Sequence, residues 1–185
     1  MFKQKFLTAS VGLTLALSAQ AFVIDDFSMG DGVTQVSDNT NDGTPVIGHD
    51  TARDLVANKD VASIALGTMA VGVCTTCAEY KHSSDQATFG YTQAHWDGNA
   101  DGVISNTGLM WDLTDGGGSA DLGIEAADAD LLGASLLVTL YNGATSQTVT
   151  LGNLVGGAIF AEPLTSWNTI DATQVTAVTM EVNNN

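Results

Sequence analysis

The stretch His95-Trp96-Asp97-Gly98-Asn99-Ala100-Asp101-Gly102-Val103-Ile104-Ser105 places oxygen-bearing side chains at alternate positions, Asp97, Asn99 and Asp101, ahead of a glycine. Calcium takes about 6–8 oxygen ligands, and a D-x-N-x-D-G loop supplies several of them from one tight turn. Here Asp97, Asn99 and Asp101 would give side-chain oxygens, Val103 a carbonyl and Ser105 a further oxygen. The EF-hand pattern breaks at its last position, where Gly108 stands in place of a bidentate glutamate, and the flanks read as strand. Two readings stay open: a non-helical Ca2+ loop completed by carboxylates such as Asp112 or Asp115, or an Asx/Gly turn between strands.

Cys74 and Cys77 form a second constellation. In an exported chain two cysteines at this spacing are expected to close a small disulfide ring. A redox pair would need a helix N-terminus in a βαβ setting, and haem attachment a histidine where Ala78 stands. Zinc would need ligands beyond His82. Hydrolysis has no support, because there is no G-x-S-x-G elbow and none of His49, His82 and His95 is paired with a nucleophile by any motif. The chain is therefore expected not to be an enzyme. Trp111 and Trp167 stand beside polar residues in expected loops, so either could stack a sugar ring; the alternative is that they fill the core.

The elements that must carry these residues read as short strands. In Ser135–Tyr141, Leu136, Val138 and Leu140 share one face; in Thr176–Val182, Val178, Met180 and Val182 do the same. Strands are expected near 22–28, 62–73, 87–96, 119–125, 135–141, 147–151, 157–161 and 175–182, separated by Asp-Gly and Asn-Gly turns. Helical signals are weak, and 123–134 is expected to hold one turn or a loop. The fold class that follows is all-β: one antiparallel β-sandwich, jelly-roll-like.

The chain opens with Lys3 and Lys5, an apolar run to Leu17 and Ser18-Ala19-Gln20-Ala21, the order of a secretory signal peptide cleaved after Ala21. The run is too short to span a bilayer, which takes about 20 apolar residues. Residues 22–185 then form the domain, expected to be secreted, periplasmic or at the cell surface. They carry all 21 acidic residues against Arg53, Lys59 and Lys81. Such a balance opposes binding to nucleic acid or anionic lipid.

The phrases "VIDDFS", "WDG", "GLMWDLTDGG" and "SWNTIDATQVTAVTMEV" resemble two groups. One is the jelly-roll carbohydrate-binding modules; the other is the exported, exosortase-sorted bacterial surface proteins. The resemblance implies a non-catalytic binding domain for carbohydrate or another cell-surface or matrix component, supported by Ca2+. The scarcity of lysine and proline leaves strand edges unguarded, so a matrix or filament subunit that self-associates is the alternative.

Overall fold

The computed structural model describes residue 25 and residues 33–50, 52–63, 66–75, 79–85, 87–114, 116–117, 121–125, 134–154 and 159–184. In chain order the strands are β1 (Val33–Asp38), β2 (Val46–His49), β3 (Asp54–Lys59), β4 (Met69–Cys74), β5 (Glu79–Ser84) and β6 (Gly90–Trp96). They continue as β7 (Asp121–Glu125), β8 (Ser135–Asn142), β9 (Thr145–Asn153), β10 (Ile159–Pro163) and β11 (Ala177–Asn183). Among the described residues the helical content is one 3-10 turn, Leu164–Ser166, and no helix is long and apolar enough to cross a membrane.

A six-stranded sheet in the order β2-β3-β6-β11-β8-β9 forms one layer. The sheet β1-β4-β5 packs across it, and the pair β10-β7 adds Leu122 to the shared core. All of these pairings are antiparallel, so the expected β-sandwich is what the chain builds. Val36, Met69, Val71 and Val73 of the smaller sheets share one core with Leu55, Ala57, Ala94, Leu136, Val138, Leu140, Val178, Met180 and Val182 of the large one. The alternation of β8 and β11 is as the sequence indicates: their even-numbered residues are buried against the facing layer. The β8–β9 hairpin turns at Gly143, whose φ of 59° suits glycine and fixes Asn142 opposite Thr145.

The sequence placed several strands differently. Within the expected strand at 62–73, β4 begins at Met69 and runs one residue further, to Cys74. The segment after the cysteines, which lies outside every expected strand, is β5, antiparallel to β4 with Cys74 opposite Glu79. β1, β2 and β3 were not expected at all. Apart from Asp25, the expected first strand lies outside the described residues, as does most of 123–134.

Polar groups are built into the interior. Arg53, with no exposed side-chain surface, pairs through its Nε with Asp25 Oδ2 at 2.9 Å and with Asp50 Oδ1 at 3.6 Å. The Trp96 indole donates to the same Asp25 oxygen at 2.8 Å. Between the layers, the Tyr80 hydroxyl donates to Thr92 Oγ1, which also meets His82 Nδ1, both at 2.8 Å. Burial pushes the His82 pKa down to about 4, so the ring stays neutral at neutral pH.

Candidate functional site

The loop that follows β6 is closed by its own aspartates. Asp97 is buried; its Oδ1 accepts the Asn99 amide at 3.0 Å and its Oδ2 the Ser105 amide at 2.9 Å. Asp101 is exposed, and its Oδ1 accepts the Val103 amide at 2.9 Å. Asp54, buried on β3, receives the Gly102 amide at 2.8 Å. His95 Nε2 lies 2.6 Å from the Ser105 carbonyl, and its Nδ1 2.6 Å from Thr179 Oγ1. A carbonyl only accepts, so Nε2 carries a proton, and in the neutral ring Nδ1 accepts from the threonine hydroxyl. Gly108 completes the turn: with φ 158°, a Cβ there would lie 1.8 Å from the Asp97 carbonyl oxygen.

Of the residues expected to gather around Ca2+, Asp97 and Asp101 accept backbone amides of the loop through their side chains. Asp97 accepts one backbone amide at each oxygen, Asn99 and Val103 are exposed, and Ser105 Oγ donates to the Thr107 carbonyl. Among the described residues no three His, Cys, Asp or Glu side chains are grouped to hold a metal.

Beside this loop lies the outer face of the six-stranded sheet. Because side chains alternate across a strand, the neighbours of the core residues point away from the core. The register aligns them in rows: Asp54-His95-Thr179-Thr139-Thr148, then Val56-Gln93-Glu181-Leu137, then Asn58-Tyr91-Asn183-Ser135. Side-chain bonds run across these rows. Thr139 and Thr148 hydroxyls meet at 2.7 Å, and Gln93 Nε2 donates to Glu181 Oε2 at 2.7 Å. Asn183 Nδ2 donates to Glu181 Oε1 at 2.9 Å, so both carboxylate oxygens are held. His95 and Tyr141 meet edge to face, with centroids 6.0 Å apart.

The β3 end of this face is roofed. Asn58 Nδ2 donates to the Gly43 carbonyl in the β1–β2 connection, and Asp54 is covered by Gly102. Toward β9 the face is open: Tyr91, Gln93, Glu181, Asn183, Leu137, Thr139 and Tyr141 are half-buried, and Thr148 and Thr150 are exposed. Burial, then the nearby Glu181 carboxylate, raise the Tyr91 pKa, so its hydroxyl stays protonated as a donor. From Ala177 to Asn183 the strip runs roughly 20 Å at about 3.3 Å per residue.

Neither expected tryptophan belongs to this face. Trp167 is 1% exposed, in the core, with its indole 3.3 Å from the Val138 carbonyl; it offers no ring to a ligand. Trp111 is half-buried, bridges Val175 and packs against the core. Cys74 is buried at the end of β4, and Cys77 lies outside the described residues. The face residues Tyr91, Gln93, Tyr141, Glu181 and Asn183 were not singled out from the sequence. Their only signal was to be the odd-numbered positions of alternating strands. No protein-family model matches the chain, and no curated protein or solved structure matches it either.

Asp54 gives the pH behaviour of this region. Its pKa is raised, first by burial and then by the Asp97 and Asp101 charges, against the Gly102 hydrogen bond. Its Oδ2 is buried without a hydrogen-bond partner among the described residues. A raised carboxyl pKa means the fold binds this proton more tightly than the unfolded chain does. That stabilisation is complete below the unfolded pKa and is lost as pH rises through the folded one. Asp54→Asn keeps the Oδ1 acceptor and removes the charge, so at neutral pH its Tm should rise by about 2–4 °C, the shift made by ~1 kcal/mol in a domain of this size. The gain should shrink as pH falls. A Tm difference that is constant with pH would contradict the assignment.

Proposed function

We propose that the protein is an exported, non-catalytic β-sandwich that binds glycan across the outer face of its six-stranded sheet. The observation that carries this reading is the open strip of hydroxyls, amides and one fixed carboxylate, with half-buried Tyr91 and Tyr141 toward its opposite ends. Sugars are bound by apolar ring contact together with convergent donors and acceptors, and the strip supplies both. Donors and acceptors already pinned on a rigid sheet lose little conformational entropy on binding. The proposal does not require calcium. Export fits the signal-like N-terminus and a Cys74–Cys77 disulfide across the β4–β5 connection, which an intact mass about 2 Da below that of the reduced chain would report.

A second reading, assembly through strand edges, is favoured by one specific feature. The edge strand β2 exposes Val46 and Ile47, and the opposite edge β9 runs nine residues without lysine or proline. Unguarded edges of this kind pair with other chains. Glycan binding is tested by affinity electrophoresis of the mature protein through gels containing neutral, amine-bearing or uronic-acid polysaccharides, with chelator present. Retardation by at least one polysaccharide is expected, and Tyr91→Ala should weaken it about tenfold, the effect of losing ~1.4 kcal/mol. Unretarded migration in every gel, with a concentration-dependent rise in sedimentation mass, would replace this reading with edge assembly.

A further inference from the structure

The glycan-binding face carries a charge pattern that selects among glycans. Glu181 stands in its middle row, held by Gln93 and Asn183, which fixes the carboxylate without neutralising it. The chain has five Lys and Arg residues, and Lys3 and Lys5 lie outside the described residues. Arg53 is buried against Asp25 and Asp50, Lys59 is buried, and Lys81 is on β5 in the other layer. No described Lys or Arg side chain therefore stands on the outer face of the large sheet. His95 is buried and bonded at both ring nitrogens, and His49 is on the far edge strand. The formal charge of the whole chain is −16, which adds an attractive field for cations and a repulsive one for anions.

Resting on the glycan-binding reading, we propose that the ligand is an amine-bearing polysaccharide, a polymer of deacetylated amino sugars, and that Glu181 is the residue that takes its ammonium group. Two neutral amide donors orient the carboxylate and leave it free lone pairs, since each carboxylate oxygen accepts more than one hydrogen bond. An ammonium-carboxylate bond is stronger than a neutral one, and it discriminates against the acetylated sugar, which cannot supply the charge. A polyuronate meets an unrelieved negative face.

The test is calorimetric titration of the mature protein with a β-1,4-linked glucosamine oligomer, its fully N-acetylated counterpart and a galacturonate oligomer. Mildly acidic buffer keeps the sugar amines protonated. The glucosamine oligomer should bind about tenfold or more tightly than the acetylated one, the ratio made by ~1.4 kcal/mol, and the galacturonate oligomer should not bind. Glu181→Gln should erase that preference at unchanged Tm. Asp171→Asn, the same charge change on an exposed loop beside Asn142 at one end of the sheet, should preserve it. If Asp171→Asn weakens binding as much as Glu181→Gln, the attraction is diffuse and the assignment of Glu181 fails. If the acetylated oligomer binds as tightly and ignores Glu181→Gln, the amine preference fails while glycan binding stands. If no oligomer binds, both fail.

Discussion

The insertion of β11 between β6 and β8 sets everything else in place. Val178 faces Trp96 on one side and Leu140 on the other, and the pairing continues without a slip to Asn183 between Tyr91 and Ser135. Side chains alternate with a period of two, so a shift of one residue would turn Val178, Met180 and Val182 outward and point Thr179, Glu181 and Asn183 at the facing layer. The same register that seals the core therefore also composes the outer face. Sequence-distant residues, such as Gln93 and Glu181, become neighbours only through it.

Aspartate has an unexpected role in this acidic chain. Asp38, Asp50, Asp54 and Asp97 are all buried, and each accepts backbone amides: Asp38 from Thr40 and Lys59, Asp50 from Ala52 and Arg53, Asp54 from Gly102, Asp97 from Asn99 and Ser105. Connections between strands leave amides without ladder partners, and these must be satisfied if they are buried. Short carboxylate side chains do this locally. Arg53 completes the arrangement by balancing Asp25 and Asp50, and removing one member of such a buried pair costs about 3–5 kcal/mol. The loop that bears Asp97 consequently sits as a fixed border to the sheet face.

This division explains what could be read from the sequence. The sandwich class, β8 and β11 were legible because Leu136, Val138 and Leu140, and Val178, Met180 and Val182, recur at every second position. β3 was not, because Asp-Leu-Val-Ala-Asn-Lys shows no alternation: all six residues are buried, the polar ones beneath the connecting loops or beside bonded partners. β5, Glu-Tyr-Lys-His-Ser-Ser, looks hydrophilic although Tyr80 Oη and His82 Nδ1 turn inward to bond Thr92 Oγ1. Asp97, Asn99 and Asp101 drew attention as a metal loop since a turn and a ligand set use the same residue types. The tryptophans drew it as stacking rings, whereas the core absorbs Trp167 and half-buries Trp111. The face itself was hidden because it depends on which strands pair, and no local pattern encodes that.

We propose the outer face of the six-stranded sheet as the working surface. Its most direct test is a map of backbone amide chemical-shift changes as a glucosamine oligomer is added to the isotope-labelled mature protein. Saturable shifts are expected at Tyr91, Gln93, Leu137, Thr139, Glu181 and Asn183, with the β4 amides unmoved. Shifts confined to the β2 or β9 edge, or to the Asp97–Ser105 loop, would contradict it.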